Sequence, residues 1–207
     1  MSDVQDARYR SWTRRLARRA MGRFVGTRLR PNHVTAVRIA TGIAACLLFA
    51  TGDNAAVAMG GVLWVVSTFL DRCDGEFARM GGTSSRIGHA FDLTGDIALN
   101  ALVFLALAEG AVNAGGPAWL YTLGLFAATG IALAGLLAEL NERGMPAGVK
   151  TFNGAFGFDF DDLIYLIALF PWFNLLPVLL IGAAVGGPLA ALVIAVRFVA
   201  RRRKQHA

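Results

Sequence analysis

Residues 71–96 read DRCDGEFARMGGTSSRIGHAFDLTGD. The stretch holds two aspartate pairs, Asp71/Asp74 and Asp92/Asp96, spaced three and four apart. On helices those spacings put each pair on one face, with Cβ atoms about 5–6 Å apart. Each pair adjoins an apolar run long enough for a membrane, residues 54–71 before the first pair and residues 88–111 around the second. Carboxylates at a bilayer boundary are costly, so an acidic cluster there is a functional-site hypothesis by default. Four together need a countercharge, and a divalent cation with oxygen ligands supplies one. The structural alternative is a polar network between helices, satisfied by Arg72, Arg79 and Arg86.

Working outward, the chain of 207 residues is 56% hydrophobic and 16% charged, with a mean hydropathy of +0.53. A soluble domain of this length carries more charge and does not gather its apolar residues into long runs. The runs predict an all-α integral membrane protein, a bundle of six transmembrane helices over residues 34–50, 54–71, 88–111, 117–138, 156–173 and 175–199. Loop charge supports the count. The twenty Lys and Arg fall in the N-terminal segment (with Arg38 just inside the first span), between spans two and three, between spans four and five, and from Arg197 onward. The alternate loops at 51–54, 109–116 and 171–177 carry none. By the positive-inside rule both termini and the aspartates face the cytoplasm, at the inner membrane if the protein is bacterial.

Nine of the twenty positive charges lie in residues 8–30 and four close the chain at Arg201–Lys204. Basic clusters beside apolar helices meet anionic lipid headgroups or set topology rather than bind nucleic acid, and no nucleic-acid module accompanies them. Residues 7–26 set Tyr9, Trp12, Leu16, Met21 and Phe24 among arginines, which predicts an amphipathic helix lying in the interface. The first thirty residues lack the apolar core of a signal peptide. Three segments result: a basic interfacial segment over 1–30, a six-helix membrane domain over 31–200 and a basic cytoplasmic tail over 201–207. Cys46 and Cys73 make neither a disulfide framework nor a zinc site.

The order of residues in the aspartate stretch resembles the signature of the CDP-alcohol phosphotransferase (CDP-alcohol phosphatidyltransferase) family, Asp-x2-Asp-Gly-x2-Ala-Arg-x8-Gly-x3-Asp-x3-Asp. It is met at all eight fixed positions: Asp71, Asp74, Gly75, Ala78, Arg79, Gly88, Asp92 and Asp96. That match outweighs the purely structural network. PNHVT at 31–35, with Arg38, resembles the start of the family's first helix.

The resemblance implies transfer of a phosphatidyl or related phosphoryl group from a CDP-linked donor, CDP-diacylglycerol first among candidates, to the hydroxyl of a polar alcohol, with release of CMP. It implies one or two Mg²⁺ or Mn²⁺ ions held by Asp71, Asp74, Asp92 and Asp96, with Asp96 also the general base. It gives the face of Gly75, Ala78 and Gly88 to the cytidine nucleotide, and to Arg79 either a phosphate contact or support of the carboxylates. It further implies a homodimer among membrane lipids. Small residues on membrane helices admit a flat ligand, and two metals can clamp the attacking and leaving oxygens of a displacement.

The acceptor is less marked. Arg143, Lys150 and Arg197 would suit a phosphorylated polyol or serve only as topology determinants. Asp159, Asp161 and Asp162, in FGFDFDDL, could hydrogen-bond hydroxyls or cap a helix N-terminus. The alternatives are a soluble CDP-alcohol donor with a lipid acceptor, a metal-ion or polyol transporter, and a non-catalytic scaffold. A transporter would place its acids nearer the bilayer midplane.

Overall fold

The computed structural model describes residues 12–81, 86–142, 160–173 and 175–205, and every regular element among them is helical. In chain order these are α1 (Trp12–Gly22), α2 (Pro31–Ala50), α3 (Asn54–Gly81), α4 (Arg86–Asn113), α5 (Trp119–Glu142), a 3-10 segment (Phe160–Ala168), α6 (Leu169–Trp172) and α7 (Leu176–Gln205). Five of them, α2, α3, α4, α5 and α7, are long and apolar enough to cross a membrane, which points to an integral membrane protein.

Local sequence explains where the helices begin and turn. Pro31 occupies the first turn of α2, where its missing N–H costs nothing, and Arg30 before it is extended (φ −117°, ψ 151°). The turn from α2 to α3 uses Gly52 at φ +73°. A Cβ there would also stand 2.5 Å from the carbonyl oxygen of Gly110 on α4, so both backbone conformation and space require glycine. Asp53 then caps α3 by accepting the Ala56 N–H at 2.9 Å.

Helix α2 lies along α3 and against α4, α4 against α5, and α5 against α7. The main core joins these helices through Phe49, Trp64, Val103, Leu107, Leu120 and Leu180. Small residues permit the closest approach: a Cβ on Gly130 of α5 would fall 2.5 Å from the backbone nitrogen of Pro188 in α7. A second cluster of Ala17, Val34, Cys73 and Phe77 ties α1 to α2 and α3 beside the first aspartate pair. Outside the bundle, large apolar side chains such as Leu47, 68% exposed, face outward. A lipid-facing surface needs such a belt, because hydrocarbon offers nothing to a polar group.

Two expectations change. The second span does not stop at Asp71: α3 runs ten residues beyond it, whereas α4 begins at Arg86, two residues before the predicted start. Hydropathy marks where a run stops being apolar, whereas Glu76, Ala78, Arg79 and Met80 are good helix formers in a polar setting as well. The predicted span at 156–173 is described only from residue 160, where it is a 3-10 segment and one turn of α6 rather than a long helix. Two indoles hold it to α3. Trp64 Nε1 donates to the Ile164 carbonyl at 3.2 Å, and Trp172 Nε1 donates to the Ala58 carbonyl at 3.3 Å.

In the N-terminal segment, α1 buries Thr13, Arg14 and Ala17 and turns Trp12 and Leu16 outward. Tyr9 lies outside the described residues, and Phe24 follows the end of the helix. Cys46 and Cys73 are buried free thiols.

Candidate active site

Three helices supply the site. On α4, Gly88, Asp92 and Asp96 follow one another at intervals of four, forming a stripe along one face. On α3, Asp71 and Asp74 lie one turn apart, with Gly75 and Ala78 on the following turn. The packing of α2 against both brings Thr35 and Arg38 between them.

Arg38 is the hub. Its residue is 2% exposed, yet its guanidinium reaches carboxylates on two helices. Nη1 lies 2.6 Å from Asp71 Oδ1 and 2.7 Å from Asp92 Oδ1, and Nη2 donates to Asp96 Oδ1. The fourth carboxylate is held separately: Thr35 Oγ1 donates to Asp74 Oδ2 at 2.8 Å. Behind this layer Ser67 Oγ donates to the Arg38 carbonyl at 2.9 Å, fixing α2 to α3 at the same level.

The result is a cage with a buried floor and a more open mouth. Arg38 and Asp74 are almost fully buried, whereas the side chains of Asp71, Asp92 and Asp96 are 28%, 35% and 40% exposed. Asp71, Asp74 and Asp92 each present an oxygen within 4.8 Å of the others. Asp96 stands outside that group of three, on Arg38. Four carboxylates against one guanidinium leave a formal excess of three negative charges. Hard carboxylate oxygens at this separation suit Mg²⁺ or Mn²⁺, which take oxygen ligands and neutralise such an excess. The residues present therefore fit a divalent metal.

Neither Thr35 nor Arg38 stood among the expected site residues. The signal was available: an arginine within an apolar helix demands a partner, and Thr35 precedes it by three, on the same face. The exposed guanidinium of Arg79 pairs with the buried Glu76 at 2.7 Å. A Cβ on Gly75 would lie 3.4 Å from Arg79 Nη2, an ordinary contact with the end of a flexible side chain.

Of the expected acceptor residues, Arg143, Lys150 and Asp159 lie outside the described residues. Asp161 and Asp162 lie on the 3-10 segment, and Arg197 on α7. One turn beyond, Arg201 Nη1 donates to the Asn141 carbonyl of α5 at 3.2 Å. His89 and Glu139 meet at 3.2 Å across α4 and α5, so His89 joins helices rather than entering the cage.

A family model, CDP-alcohol phosphatidyltransferase, matches residues 28–200, more than four-fifths of the chain and all of the aspartate stretch. No curated protein matches the chain.

Proposed function

Because the chain belongs to the CDP-alcohol phosphatidyltransferase family, whose members are transferases of substituted phosphate groups, we propose that it transfers a phosphatidyl group from CDP-diacylglycerol to a polar alcohol. The observation that carries this reading is the convergence of Asp71, Asp74 and Asp92 within 4.8 Å, with Asp96 beside them on Arg38.

In this reading Asp71, Asp74 and Asp92 hold one or two Mg²⁺ or Mn²⁺ ions, with Asp96 completing the carboxylate set. The metal, when bound, neutralises the pyrophosphate and the charge that develops as the phosphoryl group moves. The cytidine lies along Gly75, Ala78 and Gly88, where small side chains admit a flat ring, and Arg79 stands at the edge of that face. Asp96 stands beside the three carboxylates assigned to metal, on Arg38, which leaves it to meet the acceptor hydroxyl. It accepts the hydroxyl proton as the oxygen attacks the phosphorus that bears the diacylglycerol. The bond from that phosphorus to the bridging oxygen breaks, and CMP leaves with the electron pair. Positioning and charge neutralisation do most of the work in such a transfer.

The same proposal includes six spans, counting the segment that ends in α6, with both termini and the cage on the cytoplasmic side, a placement the loop charges favour. It places α1 in the membrane interface with Trp12 and Leu16 toward lipid, and the basic residues of 201–207 against the cytoplasmic headgroups. Arg197, with Arg143, Lys150, Asp159, Asp161 and Asp162, is assigned to the acceptor, and the assembly to a homodimer, which its mass in detergent would report.

The test is CMP release by purified protein in lipid with Mg²⁺ or Mn²⁺ and CDP-diacylglycerol. The acceptors would be glycerol 3-phosphate, inositol, inositol 1-phosphate, serine and choline. Metal-dependent release with one acceptor class establishes the reaction. Silence with all of them, while a soluble CDP-alcohol and a lipid acceptor give turnover, would reverse the assignment of donor and acceptor.

A further inference from the structure

A single cation, Arg38, touches three of the four carboxylates, and it does so from a helix outside the aspartate stretch. Two of its three contacts, Asp71 Oδ1 and Asp92 Oδ1, belong to residues of the group whose oxygens lie within 4.8 Å of one another. The guanidinium and a metal ion therefore draw on the same carboxylates. Arg38 is also anchored: its side chain is 3% exposed, and its carbonyl accepts hydrogen bonds from Ser67 and from Thr41.

We propose that Arg38 is a resident counter-cation: it holds the carboxylates of α3 and α4 together without metal, and divalent metal must compete with it for Asp71 and Asp92. This rests on the metal-binding reading given above. Its physical basis is that like charges packed together repel, and one planar guanidinium, with five N–H donors in a rigid fork, can bridge several carboxylates. The function gained is a cage that stays assembled while metal and nucleotide come and go. The accompanying cost is weaker metal affinity than the bare aspartates would have. Arg38 is thus a positioning residue that acts through the carboxylates.

The test compares the full-length wild type with Arg38→Gln, Arg38→Lys and Asp74→Asn in detergent micelles. Mn²⁺ binding is followed by loss of the free-ion paramagnetic resonance signal, and melting by intrinsic fluorescence in chelator and in excess Mn²⁺. Asp74 does not touch Arg38, so Asp74→Asn identifies binding that belongs to the cage. With a neighbouring unit charge removed, Arg38→Gln is expected to bind Mn²⁺ about tenfold more tightly. Its melting temperature should fall below wild type in chelator and rise more than wild type's on adding Mn²⁺. Arg38→Lys should bind with intermediate affinity, and it decides the matter if Arg38→Gln does not fold. Cage-dependent Mn²⁺ affinity that is unchanged or weaker in these variants would overturn the proposal and leave the metal site standing. If neither wild type nor the variants show Mn²⁺ binding that Asp74→Asn abolishes, both the proposal and the metal-site reading fail.

Discussion

Replacing Asp96 by asparagine removes one proton acceptor and one charge while keeping the shape of the side chain. The amide oxygen can still accept from Arg38, so one of three charge-assisted contacts on Arg38 becomes charge-to-neutral. That change costs on the order of 1 kcal/mol, the scale of one net hydrogen bond. Relief of repulsion with Asp71 and Asp92 offsets part of it. The variant is therefore expected to fold with wild-type helicity. Catalysis should suffer far more, because a positioned general base contributes about 10²–10⁴-fold, or roughly 2.7–5.4 kcal/mol of barrier at 1.36 kcal/mol per decade. The assay is single-turnover CMP release, with donor affinity measured separately by calorimetry. Asp96→Asn should lose two to four decades in turnover and keep donor affinity within about threefold, since Asp71, Asp74 and Asp92 are untouched. Wild-type turnover in this variant would remove Asp96 as the base. Loss of donor affinity in proportion to turnover would show that Asp96 acts on binding.

Thr35→Val deletes the donor to Asp74 Oδ2 while keeping the volume. Because that hydrogen bond orients a buried carboxylate, Mn²⁺ affinity should fall about 10–100-fold, and unchanged affinity would separate Thr35 from the metal site. Gly130→Leu places a large side chain where a Cβ already meets Pro188, so α5 and α7 must part. The loss should reach about 1–3 kcal/mol or more, read as an early unfolding transition, and an unshifted melting curve would contradict the close crossing.

The aspartate cage was legible because its information is local: each pair falls within one helical turn, and the two pairs are joined by fixed gaps. That Arg38 needs a partner was legible, but which partners it takes was not, because they lie 33 to 58 positions along the chain and only the packing of α2 against α3 and α4 brings them near. All five long helices open within three residues of their predicted starts, since a change from polar to apolar is sharp near Pro31, Asn54, Arg86, Trp119 and Leu176. The far ends of α3 and α7 lie beyond their predicted ends for a reason of physics. Helix formation continues through the polar residues after Asp71 and through Arg201–Arg203, while hydropathy reports only the part in hydrocarbon. The segment at Phe160–Ala168 is apolar enough for a helix, yet it forms a 3-10 turn held by indole hydrogen bonds that no periodicity announces.

The length of α3 has a mechanical consequence. At 1.5 Å per residue its 28 residues extend about 42 Å, and Asp71 and Asp74 lie about 26 and 30 Å from Asn54. A hydrocarbon layer is about 30 Å thick, so the helix works as a ruler: with Asn54 at one surface, the cage reaches the opposite headgroups. A thicker bilayer would submerge the carboxylates and a thinner one would lift them away from the donor's pyrophosphate. Turnover in vesicles of graded acyl length should therefore pass through a maximum, and a flat profile would mean that the bundle tilts to keep its own level.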